Sequence, residues 1–65
     1  MLRILKSKML ERNIDYKDIA KVIGSSTRAV RGKIAEKTPF TWPEVCMIRK
    51  IFFPDIDTDE LLASD

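Results

Sequence analysis

The 65-residue sequence contains no histidine, a single cysteine and only two glycines. The lack of histidine excludes His-bearing zinc sites, Ser-His-Asp triads and Cys-His pairs. With Cys46 as the only cysteine, no intrachain disulfide can form, and a reducing compartment such as the cytoplasm fits the sequence. We interpret Cys46 as a small core residue, because no base is present to activate its thiol. These absences predict a protein that is not an enzyme and holds no metal.

Long apolar segments are lacking as well. No segment approaches the roughly 20 apolar residues of a membrane span, and Lys6 and Lys8 interrupt the apolar start before a signal peptide develops. A chain this short forms one domain, residues 1–65, which buries only about 60% of the surface exposed on unfolding. A deep cleft does not fit into such a domain. We therefore expect no cofactor and no small-molecule ligand.

Charge is plentiful but unevenly distributed. Residues 1–37 carry ten Lys and Arg against four Asp and Glu, a net charge of +6, whereas residues 38–65 carry two against six, a net charge of −4. A basic pole and an acidic pole suit a protein that presents one face to a polyanion. Small domains also acquire uneven surfaces by chance, so the charge split needs support from a motif.

The ends of five helices can be read from the sequence, and no stretch alternates with the period of a strand. A capping box pairs an N-cap oxygen with an acidic residue three positions later. Asp15, Thr41 and Asp57 each begin such a pair, with Asp18, Glu44 and Glu60, and predict helices that start at Tyr16, Trp42 and Thr58. Asn13, Gly24, Pro39 and Pro54 mark the ends of the first four helices, the first spanning about residues 2–12.

The remaining helix has weaker local signals. Ser26 is its predicted N-cap, and it runs from Thr27 to about Glu36. Val30 and Ile34 form its inward stripe, whereas Arg28, Arg31, Gly32 and Ala35 project outward at 100° per residue. Trp42 is expected to pack against the start of its own helix. The predicted core comprises Leu5, Met9, Ile14, Ile19, Ala20, Ile23, Val30, Ile34, Val45, Ile48 and Phe52, closed by Leu61 or Leu62.

Ile19-Ala20, Gly24 and Val30 lie in the predicted second and third helices and the turn between them. Their order and spacing resemble the helix-turn-helix signature of the phage repressor and Cro family, in which a small residue allows close helix approach, a glycine makes the turn and an apolar residue anchors the second helix. Residues 11–14, 37–41 and 52–55 are similar to short prophage-encoded members, so the resemblance covers nearly the whole chain. It implies a compact all-α, five-helix, lambda-repressor-like domain with the motif at about residues 16–36.

The resemblance also implies a function, which is sequence-specific binding of double-stranded DNA in transcription regulation, at the nucleoid. The reading helix, about residues 27–36, is expected in the major groove. Base contacts are implied for Ser26, Thr27, Arg28 and Arg31. Phosphate contacts, which position the protein without specifying sequence, are implied for Tyr16, Lys17, Lys33 and Lys37.

Four residues depart from the family pattern. Tyr16 stands where glutamine is common, Ser25 where an apolar residue is usual, and Glu36 where glycine often follows the reading helix. Gly32 lies on the outward face of that helix, where it lowers helix stability by about 1 kcal/mol relative to alanine. Either it lets DNA approach the backbone closely, or it is a tolerated weak position.

Two further expectations concern partners. The family's two-fold operators, with half-sites about 34 Å apart, suggest a homodimer. Because the chain has no room for a separate oligomerisation domain, the expected apolar contacts are Phe53, Ile56, Leu61 and Leu62. The alternative to DNA binding is a protein-interaction module on the same scaffold, such as an anti-repressor or an antitoxin-like partner. An exposed apolar patch without sequence-selective DNA affinity would identify it.

Overall fold

Five α-helices and no strand occur within residues 1–63, which are the residues that the computed structural model describes. The helices are α1 (Arg3–Glu11), α2 (Tyr16–Ile23), α3 (Thr27–Ile34), α4 (Trp42–Phe52) and α5 (Thr58–Leu61). The predicted all-α class and the predicted starts of α2, α3, α4 and α5 are confirmed. Ser64 and Asp65, the end of the predicted domain, lie outside the described residues.

Capping side chains explain where α2 and α4 begin. Asp15 and Asp18 form a complete box at α2, in which the Asp15 backbone N–H donates to the Asp18 carboxylate at 2.9 Å. Thr41 and Glu44 form the equivalent box at α4. The box predicted at α5 is wrong, because the Asp57 side chain makes no cap hydrogen bond at this four-residue helix.

Left-handed residues end the first three helices by one hydrogen-bond pattern. Asn13, Gly24 and Glu36 have φ of 57°, 69° and 64°. In each case the amide of the following residue donates a hydrogen bond to the carbonyl five positions before it. The pattern closes α3 early: the Glu36 amide donates to Lys33 and the Lys37 amide to Gly32. α3 therefore ends at Ile34 rather than at the predicted Glu36, because Glu36 takes the conformation that glycine usually supplies.

The core lies where α2 packs on α3 and α4, and α5 packs on α1 and α4. Most predicted core residues are buried, although Ile14, Ile23 and Phe52 are only half-buried. Core members that the helical stripes did not predict are Leu2, at the start of the chain, and Phe53 and Ile56, in the α4–α5 connection.

The side chains expected to form a dimer contact are mostly inside this core. Phe53 is 0% exposed, Ile56 7% and Leu61 2%, and Leu62 is half-buried. Side chains so enclosed have no surface left for a second copy, so the expected dimer contact is corrected: these residues stabilise the protomer itself.

Arg12 connects the end of α1 to the α4–α5 connection. Its guanidinium lies 5.1 Å from the centre of the Phe53 ring, donates to the Phe52 carbonyl at 2.8 Å, and forms two hydrogen bonds with Asp55 at 2.9 and 2.7 Å. These hydrogen bonds hold the pKa of Asp55 below its usual value and raise the pKa of Arg12. The contact covers the fully buried Phe53 ring.

Two residues of α4 face solvent against expectation. Trp42 is 64% exposed, so it does not pack against the start of its helix, and Cys46 is exposed rather than part of the core. Neither belongs to the buried stripe of Val45 and Ile48: at 100° per residue Trp42 lies beside the stripe, and Cys46 lies further round the helix. Across residues 1–63, no helix has the length and apolar character needed to cross a membrane.

Candidate nucleic-acid interface

The candidate interface is built on α2 and α3, which pack directly against each other through a short connection. Gly24 adopts a left-handed conformation, and the Ser25 amide donates to the Ala20 carbonyl at 2.9 Å. Ala20 is 5% exposed and Val30 is fully buried. The small residue, the turn glycine and the apolar anchor of the sequence pattern therefore occupy the positions where two helices meet and turn, and Ser25 is accommodated half-buried.

The outward face of α3 forms one wall of a shallow concave surface, which we call the α3 concavity. Arg28 and Arg31 are exposed along it, and Lys37 joins them from the segment after the helix. Among the described residues that line it, three are cationic and none is a carboxylate. Its lining is Thr27, Arg28, Arg31, Gly32, Ala35 and Lys37.

Ser26 lies at the edge of this surface and caps α3. Its hydroxyl oxygen accepts a hydrogen bond from the Ala29 amide at 3.0 Å. Because a hydroxyl group also carries one proton, Ser26 can still donate to a ligand while it caps the helix. Its predicted role in base reading is thus restricted to donation in this geometry.

Tyr16 brings the start of α2 to the α3 concavity. The Arg31 guanidinium carbon lies 5.7 Å from the centre of the Tyr16 ring, within cation–π distance. The half-buried ring restricts the directions that Arg31 can take. Lys17 is exposed beside Tyr16 in the first turn of α2, outside the lining of the concavity.

Lys33, which the family resemblance implies as a phosphate contact, instead contacts Glu44 of α4. Its ammonium lies 2.8 and 2.7 Å from the two carboxylate oxygens of Glu44 and 5.8 Å from the centre of the Phe40 ring. The side chains of Lys33 and Glu44 are 15% and 16% exposed. Lys33 therefore connects α3 to α4, and the expected phosphate contact is corrected to this internal ion pair.

The Lys33 contact also favours the ionised form of Glu44. The hydrogen bond from Lys33, followed by the one from the Thr41 amide, lowers the pKa of Glu44 from its ordinary value of 4.5. Glu44 thus serves both as a capping residue and as the partner of a neighbouring helix. The sequence contains the capping signal, but it contains no signal for a lysine eleven residues earlier.

Glu36, the residue whose charge conflicts with a phosphate partner, has a local counter-charge. Its carboxylate lies 3.2 Å from the Met1 amino group, and both groups are about half-exposed. The Leu2 amide donates to the Ile34 carbonyl at 2.9 Å, so the start of the chain packs against the end of α3. The pair reduces the negative charge beside Lys37.

Comparison of the chain with models of known families, with curated proteins and with solved structures found no match. The interpretation of the α3 concavity therefore depends on its own residues.

Proposed function

We propose that this protein is a regulator of the phage repressor and Cro type that binds duplex DNA sequence-specifically, with α2 and α3 as its helix-turn-helix. The single observation that carries the proposal is the α3 concavity, where Arg28, Arg31 and Lys37 surround an exposed helix face without a carboxylate among its described lining residues. A polyanion is the ligand that such a face favours. In this proposal the protein acts without cofactor or catalysis.

Roles within the proposed interface follow from position. Thr27 and Arg28 lie in the first turn of α3, and Arg31 lies one turn later, as base readers at the start of a reading helix do. Contact of the Arg31 guanidinium with the Tyr16 ring supports base reading by Arg31, because it reduces the number of conformations lost on binding. Lys37 and Lys17 are the proposed phosphate contacts, and Ser26 remains a donor at the edge.

Gly32 gives the proposal independent support. A methyl group built at Gly32 meets only the Thr38 hydroxyl oxygen, at 4.0 Å, which is ordinary contact distance. Packing among residues 1–63 therefore gives no reason for a glycine in the middle of α3. Close approach of DNA to the helix backbone would supply one, since a side chain there would stand between α3 and the base edges.

The test is a titration with duplex DNA at several salt concentrations, using wild type and Arg28→Ala. We expect Arg28→Ala to weaken binding to the preferred sequence by about 1–3 kcal/mol and to relax preference at one base pair. The matched control is Lys21→Ala, because Lys21 is an exposed cation of α2 outside the α3 concavity. Equal effects of both substitutions would contradict a reading role for Arg28.

The second candidate function is a protein-interaction module on the same scaffold, and one observation favours it. Trp42 is 64% exposed on α4, and tryptophan is enriched at the centres of protein interfaces because it buries a large rigid area on association. The two candidate functions differ in what they predict for duplex DNA. A regulator of this type prefers one DNA sequence over others, whereas a protein-interaction module shows no such preference.

A further inference from the structure

Tyr16, the only tyrosine of the sequence, is the first residue of α2 and is held in place on two sides. The Tyr16 amide donates to the Asp15 carboxylate at 2.7 Å, and the Asp15 amide donates to the Asp18 carboxylate at 2.9 Å. The ring is half-buried and packs against the hydrophobic core. Both the backbone and the side chain of Tyr16 are therefore ordered before any ligand binds.

Arg31 reaches this ring from the middle of α3. The packing of α2 against α3 brings the two residues together, with the Arg31 guanidinium carbon 5.7 Å from the centre of the Tyr16 ring. Within residues 1–63, the Arg31 side chain has no hydrogen-bond or ion-pair partner. The ring thus limits the direction of the guanidinium, while its N–H groups stay available to a ligand.

Arg28, the other arginine of the α3 concavity, is not restrained in this way. It is exposed in the first turn of α3. Among the residues that the structure describes, its side chain has neither a ring contact nor a hydrogen-bond or ion-pair partner. An unrestrained side chain loses more freedom on binding than a restrained one. The two arginines therefore differ in how far the free protein already orders them.

A restrained direction contributes more to the reading of a base than to the attraction of a phosphate. Phosphate contacts carry no sequence information directly. Guanine presents two acceptors in the major groove, O6 and N7, and arginine meets both with two N–H groups at once. This paired contact requires the guanidinium to approach from one direction. An arginine that turns freely also reaches neighbouring acceptors, which lowers discrimination between bases.

We propose that Tyr16 is a specificity-determining residue, whose ring holds the Arg31 guanidinium in the direction from which it contacts guanine. The inference rests on the proposed DNA binding. It gives Tyr16 a positioning role that acts through Arg31, in place of the phosphate contact that the family resemblance implies. Glutamine, which is common at this position in the family, has no ring face for a guanidinium. Preference for guanine at one base pair therefore depends on two residues from different helices.

Competition titrations test the inference, with duplexes that carry the motif selected by the wild type and differ from it at one base pair. Arg31→Ala should lose a preference for guanine of about 5- to 150-fold. Tyr16→Leu and Tyr16→Gln should each lower the preference at the same base pair by about 2- to 10-fold, because Arg31 must then be ordered on binding. Tyr16→Phe retains the ring and should retain the preference.

The base itself can be tested by a change to the DNA. Replacement of the guanine by 7-deazaguanine removes the N7 acceptor and leaves O6 in place. This duplex should bind the wild type more weakly than the unmodified one does, whereas Arg31→Ala should bind the two duplexes equally. An equal response of the wild type to both duplexes would overturn the contact of Arg31 with guanine.

Two controls separate positioning from a structural role of Tyr16. The base pair at which Arg28→Ala relaxes preference should keep its preference in Tyr16→Leu, because Arg28 does not contact the ring. In the double variant Tyr16→Leu, Arg31→Ala, the preference should fall no further than in Arg31→Ala alone, since the two residues act as one unit. All titrations are made below the Tm of every variant, as measured by circular dichroism.

The outcomes distinguish this inference from the proposed function. If the wild type selects no motif, sequence-specific binding fails and the inference fails with it. If the wild type selects a motif but the ringless variants keep the preference at the Arg31 base pair, the proposed function stands and the positioning role is overturned. Equal weakening of all duplexes by Tyr16→Leu would also overturn it, because a phosphate contact or a loss of stability acts on every sequence alike.

Discussion

Replacement of Lys33 by methionine tests whether this lysine stabilises the fold, as its contacts indicate, or binds phosphate, as the family resemblance implies. Lys33→Met retains the aliphatic side chain and removes the ammonium, whose two contacts with Glu44 measure 2.8 and 2.7 Å. Both side chains are about 15% exposed, so solvent screens the pair little. Hydrogen bonds to charged groups contribute about 1.5–3 kcal/mol, and we expect a loss of about 2 kcal/mol.

A loss of this size is large for a small domain. The free energy of unfolding of a 65-residue chain is on the order of 3–10 kcal/mol, and 1 kcal/mol corresponds to about 4–8 °C in Tm at this size. Lys33→Met should therefore lower Tm by about 8–16 °C. Thermal and urea unfolding followed by circular dichroism measure this loss directly.

Lys37→Met is the matched control, because Lys37 is exposed and its side chain has no partner among residues 1–63. It should change stability by less than about 0.5 kcal/mol. In DNA titrations below the Tm of both variants, Lys37→Met should lower the salt slope by about one, and Lys33→Met should not. If Lys33→Met lowered the slope and left stability intact, the assignment of Lys33 to the internal ion pair would be refuted.

Three further predictions concern stability, pH and the role of Gly32. Phe53→Ala should destabilise the fold by about 3–5 kcal/mol, since Phe53 is fully buried, and should lower Tm by at least about 12 °C in circular dichroism. A transition at the wild-type Tm would contradict its place in the core. Because Lys33 and Thr41 lower the pKa of Glu44 in the folded state, their stabilisation is present above pH of about 4.5 and is lost as pH falls through the lowered pKa. Glu44→Gln should therefore be less stable at neutral pH and lose less Tm on acidification than wild type, whereas Asp59→Asn should follow wild type; parallel curves for wild type and Glu44→Gln would be the contrary result. Gly32→Ala should raise the free energy of unfolding by about 1 kcal/mol and weaken DNA binding in anisotropy titrations. Unchanged DNA binding would contradict the proposal that DNA approaches the backbone closely at this position.

Local signals in the sequence predict most of the helix boundaries. The capping boxes of α2 and α4 and the left-handed ends at Asn13 and Gly24 involve residues no more than five apart. Such contacts form within one turn of backbone, so the sequence alone contains the physical information. The prediction failed at α5, where the Asp57 pattern is present but the short helix does not use it.

Contacts between distant segments were not predictable in the same way. Arg12 and Asp55 are 43 residues apart, and Lys33 meets Glu44 only because α2 packs against both α3 and α4. The family resemblance implied a phosphate contact for Lys33, because it contains no information on this contact with α4. Helical periodicity does predict the exposure of Cys46, because this residue lies off the stripe of Val45 and Ile48. The absence of an activating base excludes a nucleophile but does not by itself indicate burial.

The candidate site depends partly on local signals in the sequence and partly on contacts between distant segments. The outward direction of Arg28 and Arg31 follows from helical periodicity, and both line the α3 concavity. The contact of Arg31 with Tyr16 depends on how α2 packs against α3, which no local pattern specifies. Sequence thus predicted which side chains face outward, and the fold determined which of them lie together.

The most direct test of the proposed function is selection of bound sequences from a randomised duplex library at physiological salt. We predict enrichment of a defined motif by the wild-type protein, and loss of preference at one base pair of that motif with Arg28→Ala. An unenriched pool, with weak binding that depends steeply on salt, would contradict sequence-specific recognition and leave the α3 concavity as a basic surface without a reading function.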